Sequence, residues 1–406
     1  MRTRSILNER LLVGILGICS WGCTVTSSNG GTGGSQESGG SQSGGSQSGG
    51  TVGSNGGTSG TTPSGGTTGS GGTTSTKTFD STKLPCDIYE EDGGPCVAAH
   101  STVRRLRSAY TGPLYQVRVG GSNTGTGGTT TDIGADADGF ADGAAQDTAC
   151  GTSSCTISII YDQSGKGNDL THAPGGGAKT TPDNEANAKS LPVTISGHNV
   201  YGERNPVGVG YRNNAATGTA TGDNPETIYM ITSGNYSNGG CCFDYGNAET
   251  NSRDNGEGTM EAVYFGTCTI WNKGGGNGPW IMGDLENGLW AGNTSPYEDN
   301  TSVPTTWKYV TGLVKGEKAS SANPNGHWAI KVGNATSGEL SKPFDGPRPS
   351  SRYNPMRKEG AIILGTGGDN SNGAQGNFFE GLMTAHYSSD AADTAIQANI
   401  VSVYGQ

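Results

Sequence analysis

From Thr24 to Thr76 the chain is almost wholly Gly, Ser, Thr, Gln and Asn, with Glu37 as its only charge, and nothing in that stretch can build a core. Too little apolar surface is present to offset the entropy of ordering it. Residues 24–76 therefore read as a disordered linker with an r.m.s. reach on the order of 40 Å. Gly fills 73 positions and hydrophobic residues make up 31% of the chain, proportions that would give a poor core if spread evenly. They are not spread evenly. Residues 77–406 are long enough for one large domain with a core of its own.

Ahead of the linker, residues 1–23 read as an export signal. Arg2, Arg4 and Arg10 form a basic region, Leu11 to Ile18 is apolar, and small residues lead to Cys23. The apolar run is too short for a stable membrane span. Gly22-Cys23 resembles a bacterial lipoprotein cleavage site, although Ser20 stands where Leu is usual and Trp21 is bulky. A lipid on Cys23 would be the chain's one membrane contact, with free secretion as the alternative. The net charge of −11 leaves no basic stripe to neutralise phosphates, which argues against nucleic acid. It suits a soluble exported protein with a neutral partner such as a carbohydrate, and a monomer is expected.

Of nine cysteines, Cys19 and Cys23 fall in the signal region. Spacing suggests local bridges between Cys86 and Cys96 and between Cys150 and Cys155, since close pairs in exported chains are more often disulfides than metal sites. Cys241 and Cys242 are adjacent. Either they join each other, or one of them pairs with Cys268. With five His in the chain and no paired Cys-x-x-Cys set, neither a metal nor another cofactor is called for.

The folded part reads as β-rich. Expected strands are Thr156–Tyr161, Thr227–Ile231, Met260–Phe265, Tyr309–Val314, Trp328–Val332 and Ala361–Leu364, rich in Ile, Val, Tyr and Trp and separated by Gly/Asn/Ser turns. Two helices are expected. One runs from about Val97 to Tyr110, with Val103, Leu106 and Tyr110 on one face and Gly112 as its stop. The other starts near Asp390 and shows Ile396, Ile400 and Val403 on one side. The phrase from Tyr161 to Leu170 resembles one common in concanavalin-like, laminin-G-type sandwiches, and Phe378 to Met383 resembles their closing strand. The fold class expected is all-β, a concanavalin-like jelly-roll β-sandwich with a few short helices.

Two acidic neighbourhoods stand out from ordinary surface charge. If Trp280 to Leu285 is a strand, then Trp280, Met282 and Asp284 share a face and Glu286 joins them by the period of two. Acids beside tryptophans are costly unless that face meets a polar ligand, although a solvated strand end with a turn at Asn287-Gly288 would read the same. In the second, the apolar run Ala361 to Leu364 enters a glycine-rich turn that presents Asp369, and Gly-Gly-Asp-Asn is also an ordinary turn sequence.

These residues carry a resemblance. Pro85 to Tyr89, Cys96 to Thr102, Tyr110 to Val117, Gly210 to Ala216, Cys241 to Glu249 and Tyr353 to Met356 resemble the catalytic domain of family-54 glycoside hydrolases, the α-L-arabinofuranosidase B type. The resemblance runs from about Leu84 to the C-terminus. It implies a retaining enzyme with Glu286 as nucleophile and Asp369 as general acid/base. It implies Asp284 and Asn287 as hydrogen-bonding partners of the sugar, with the Gly368 backbone nearby, and Trp271 and a Cys241–Cys242 disulfide as apolar walls. It also supports the 86–96 and 150–155 bridges and leaves Cys268 unpaired. Relatives often carry a C-terminal arabinose-binding module, and the chain's end at Gln406 leads to the expectation that the module is absent.

Such chemistry needs Asp369 protonated when substrate arrives, raised by Glu286 and by burial, and Glu286 ionised with help from Asn287. A bell-shaped pH profile on the acid side of neutral follows. Glu249 is the rival nucleophile, ranked lower because no strand of aromatics flanks it. The expected activity is removal of terminal arabinofuranose from arabinan, arabinoxylan or related plant polysaccharides. The alternative is a non-catalytic, lectin-like surface lipoprotein, and a purely structural envelope lipoprotein is a third reading.

Overall fold

The computed structural model describes residues 77–292, 302 and 304–406. The expected export signal and linker, with Cys19 and Cys23, lie outside the described residues.

Two antiparallel sheets form a β-sandwich. One has seven strands, in the order Cys96–Ser101, Gly376–Thr384, Glu226–Thr232, Val310–Glu317, His327–Asn334 and Ser341–Gly346, with Glu203–Asn205 also paired to Gly376–Thr384. The other has ten: Leu289–Trp290, Trp280–Asp284, Glu261–Gly266, Asp244–Ala248, Ala361–Leu364, Tyr211–Asn213, Leu170–His172, Cys155–Ile160, Tyr115–Val119 and Thr129–Ile133. All six expected strands are present within a few residues of their expected ends.

Alternation along one strand shows how the layers stack. In Trp280–Asp284, Ile281 and Gly283 face the seven-stranded sheet. A Cβ on Gly312 would meet the Ile281 side chain at 2.6 Å, and one on Gly283 would meet Trp328 at 2.6 Å. Glycine thus lets the two layers approach where a large side chain crosses the interface. Trp280, Met282 and Asp284 point the other way, to the outer face of the ten-stranded sheet. Between the layers lies a core that includes Tyr229, Tyr245, Phe265, Leu313 and Phe378, all fully buried.

The helix expected from Val97 to Tyr110 is not formed. Cys96–Ser101 is instead a strand paired with Gly376–Thr384, buried along its whole length. Its Val103 and Leu106 spacing is helical by coincidence, because both enter the core from an irregular segment. The phrase from Asp162 to Asn168 closes the strand's free edge. Asp162 Oδ1 accepts from Ala99 N–H (2.9 Å), Gln163 N–H donates to Ala99 O (2.8 Å), and Asn168 Nδ2 donates to Val97 O (2.7 Å). A short helix, Pro85–Glu91, precedes the strand and starts with proline in its first turn.

The C-terminal helix, Asp390–Tyr404, forms as expected, with Ser389 capping Ala392 N–H. Ile396 and Ile400 are buried and Val403 is half-buried. Lys315 and Lys331 anchor it to the seven-stranded sheet through Asp393, at 2.8 and 2.6 Å. Disulfides join Cys86 to Cys96, Cys150 to Cys155 and Cys241 to Cys242, while Cys268 is free and buried. That decides the question left open at the adjacent pair.

Candidate active site

Strand register builds the floor of the site. Asp284 is opposite Ala262, Ala262 opposite Gly246, Gly246 opposite Ile363, and Ile363 opposite Arg212. Directly opposed residues share a face, so Asp284 and Arg212 lie in one row with small or aliphatic residues between them. At the Asp284 end lies a cavity of about 110 Å³ whose lining includes Cys241, Cys242, Trp271, Asp284, Glu286, Asn287, Gly368 and Asp369. At about 30 Å³ per liquid water, that volume is on the scale of one small sugar ring.

Glu286 does not reach the cavity by strand periodicity. The strand ends at Asp284, and Glu286 and Asn287 take left-handed backbone, φ 63° and 57°. Leu285 N–H donates to Gly288 O (3.2 Å), closing a two-residue hairpin into Leu289–Trp290. Consecutive positive φ values are those of a type I′ turn, which favours Asn and Gly. Asn287 fits, whereas Glu286 holds a conformation unusual for its type, the kind of feature that concentrates at functional sites. The expected turn at Asn287-Gly288 is thus shifted by one residue. Behind it, Tyr353 Oη donates to Asn287 O (3.2 Å), and Trp290 packs edge-on against Tyr353. A Cβ on Gly288 would fall 2.1 Å from Trp290 Nε1, so only glycine admits this support.

Asp369 sits on the turn after Ala361–Leu364. Gly367 N–H donates to Ser371 O (2.8 Å) and Asp369 Oδ1 accepts from Ser371 N–H (2.9 Å), which fixes a half-buried carboxyl at the cavity edge. Gly368 lies against the other acids. A Cβ there would fall 2.1 Å from Glu249 Oε2 and 2.7 Å from Glu286 Oε2.

Carboxyl crowding sets the electrostatics. Burial pushes Glu286 up to about 11, and the Glu249, Asp284, Asp254 and Asp369 carboxyls add to the push. Burial likewise raises Asp284 to about 7, against the Glu286 N–H that donates to its Oδ1 at 3.1 Å. Glu249 is raised by burial and held back by the Thr259 hydroxyl and by Arg212. This departs from the expectation that Asn287 keeps Glu286 ionised. The Asn287 amide donates to Asp254 Oδ1 (3.0 Å), which turns its carbonyl oxygen free to accept from a ligand.

Sequence reasoning missed Arg212, Asp244 and Asp254, and met Glu249 only as a rival. Arg212 is buried. It donates to Gly367 O (3.3 Å) and to Glu249 O, so it ties the Asp369 turn to the segment bearing Glu249. Burial lowers it to about 10, and the charges of Glu249, Glu286 and Asp369 resist that fall. Arg212, Asp244 and Glu249 do lie within phrases that carry the resemblance, and an acid or Arg among strand residues was the available signal.

Cys242 Sγ lies 3.5 Å from Asp284 Oδ2, so the disulfide forms the wall beside that acid. Trp271, 39% exposed, forms another wall, and its carbonyl accepts from Leu289 N–H (3.1 Å). Cys241, Cys242 and Asp284 also cluster closely enough for a metal, but sulfurs joined in a disulfide are not thiolate ligands.

Comparison with known proteins decides the family. The model of the "Alpha-L-arabinofuranosidase B, catalytic" family matches residues 85–405. The chain belongs to that family. Within it, a probable alpha-L-arabinofuranosidase B from Aspergillus terreus is 55% identical over 325 residues, covering 78% of this chain and 62% of that protein. An alpha-L-arabinofuranosidase from Hypocrea jecorina is 55% identical over 323 residues, with the same coverage. The chain thus spans about 62% of the length of these curated relatives. A crystal structure of arabinofuranosidase complexed with arabinofuranosyl-alpha-1,2-xylobiose superposes with a TM-score of 0.73 at 51% identity, covering 79% of this chain and 65% of that one.

Proposed function

We propose that the protein is a retaining α-L-arabinofuranosidase that removes terminal, non-reducing arabinofuranose from arabinose-bearing plant polysaccharides and oligosaccharides. One observation carries the reading: Glu286 and Asp369 line a single cavity sized for one sugar ring. Family membership and a similar protein's complex with an arabinofuranosyl-xylobiose support it.

In the first step the proton that crowding places on Glu286 passes to the neighbouring Glu249 carboxylate, and the freed Glu286 carboxylate oxygen forms a bond to the anomeric carbon. Asp369 gives its proton to the departing glycosidic oxygen, and that C–O bond breaks. In the second step Asp369 takes a proton from water, the hydroxide oxygen attacks the anomeric carbon, and the Glu286 ester bond breaks to restore the carboxylate. Asp284 and the Asn287 carbonyl accept from sugar hydroxyls beside the Gly368 backbone, while Trp271 and the Cys241–Cys242 disulfide enclose the ring. A crowd of carboxyls is suited to a positively charged, oxocarbenium-like transition state, which each anion stabilises more than it does the neutral substrate.

The test is release of 4-nitrophenol from 4-nitrophenyl α-L-arabinofuranoside, with Glu286→Ala and Asp369→Ala alongside. Turnover that both substitutions abolish is expected. Sugar binding without wild-type turnover would leave a lectin.

For location we propose export as a monomer through residues 1–23, with a lipid on Cys23 and residues 24–76 as tether. The support is the basic and apolar composition of the first segment and the Gly/Ser/Thr composition of the second. Membrane fractionation of wild type and Cys23→Ser tests it. A wild type already in the soluble fraction would refute the anchor.

A further inference from the structure

Asp244 opens the strand Asp244–Ala248 on the same face as Gly246, hence on the face of Ala262 and Asp284. Tyr264 is directly opposite Asp244 on that face, whereas Ala262 and Gly246, in the row of Asp284, are small. Asp244 is fully buried, and among the described residues no N–H or hydroxyl donor reaches either of its carboxyl oxygens. The acceptor within electrostatic reach of it is another carboxyl, that of Asp284.

Two carboxyls can share a hydrogen bond only if one of them holds a proton. Asp284 is the better anion, since its Oδ1 also accepts from Glu286 N–H and its carboxyl lines the cavity. Asp244 has no other partner. Burial and the Asp284 charge both raise it well above the ordinary carboxylate range. We propose that Asp244 is a positioning residue, a neutral carboxylic acid that donates to Asp284 and aims the Asp284 carboxylate at the bound sugar and at the Glu286 backbone. This rests on the arabinofuranosidase reading of the cavity.

The decisive substitutions are Asp244→Asn, whose amide can donate the same hydrogen bond, and Asp244→Leu, which fills the space without donating. Each is measured on 4-nitrophenyl α-L-arabinofuranoside, alone and on an Asp284→Ala background. Asp244→Asn should keep kcat/KM within about 3-fold of wild type, and Asp244→Leu should lose roughly 10- to 100-fold, the usual scale for a hydrogen bond to a charged group. On the Asp284→Ala background Asp244→Leu should cost less than about 3-fold, because its partner is gone.

A folded Asp244→Asn protein as impaired as Asp244→Leu would overturn the proposal, since the negative charge would then be what matters. Equal losses on both backgrounds would overturn it too, as a structural role predicts. If Asp244→Leu does not fold, Asp244→Asn decides alone. Absence of wild-type turnover would refute the arabinofuranosidase reading separately, and L-arabinose affinity by calorimetry would then rank the same variants.

Discussion

Arg212 and Asp284 lie in one cross-strand row on the outer face of the ten-stranded sheet, with Ala262, Gly246 and Ile363 between them. The arrangement opposes one buried guanidinium to a cluster of carboxyls. Much of the cavity's chemistry follows from that imbalance.

Replacing Arg212 with Met should remove the cation that favours the ionised forms of Glu249 and Glu286. Without it those carboxylates hold protons more tightly, so the acid limb of the kcat/KM profile should move to higher pH. Arg212→Lys keeps a charge but loses the fork that reaches Gly367 O and Glu249 O. It should shift the limb less while still lowering kcat. A pH–rate series on the three proteins checks both expectations, and an unmoved limb in Arg212→Met contradicts them.

The same crowding makes a stability prediction. Glu286 and Asp284 have folded-state pKa values raised to about 11 and about 7, above the ordinary values of carboxyls in an unfolded chain. The native state therefore binds more protons than the unfolded state from about pH 4 upward, and stability from these groups is lost as pH rises. Glu286→Gln should raise Tm at pH 7 and give little difference near pH 4. Glu286→Gly, which suits φ 63°, should be more stable than Glu286→Ala by about 1 kcal/mol. Thermal melts at both pH values test these expectations, and a Glu286→Gln variant less stable at pH 7 would contradict them.

Asp369→Asn should separate the two steps of the reaction. A 4-nitrophenolate leaving group needs little protonation, so glycosyl transfer to Glu286 should survive better with the aryl substrate than with an arabinoxylan oligosaccharide. Loss on the oligosaccharide should reach roughly 100- to 10,000-fold. Stopped-flow should show a burst of nitrophenol followed by slow turnover. Equal losses on the two substrates would argue against Asp369 as the proton donor.

Cys268 is free and buried among Tyr264, Trp280, Met282 and the disulfide-bonded Cys242. Burial raises its thiol pKa. Ellman's reagent should therefore find no difference between native wild type and Cys268→Ala, and a difference of one thiol after unfolding in denaturant. A native-state difference would mean that the thiol is exposed or that the bridges are arranged otherwise.

Much of this was legible in the residues, and the exceptions have physical causes. Strands such as Glu226–Thr232 and Ala361–Leu364 announced themselves through β-branched and aromatic residues between turn formers. Cys96–Ser101 did not, because Ala98 and Ala99 favour helices. What makes it a strand is its pairing with a segment nearly three hundred residues away. Asp284 could be placed on its face by alternation. Glu286 could not, since its side chain is directed by left-handed backbone outside the strand. Arg212 and Asp244 were hidden for another reason. Their importance comes from register across strands distant in sequence, and no local pattern encodes that.

The central claim is that Glu286 forms a bond to the sugar. Incubating the protein with a mechanism-based cyclic sulfate analogue of α-L-arabinofuranose, followed by proteolysis and mass spectrometry, tests it most directly. The prediction is a single stoichiometric adduct, mapped to Glu286 and lost in Glu286→Gln. An adduct on Glu249, or an unlabelled enzyme whose NMR-followed product shows inverted anomeric configuration, would contradict the account.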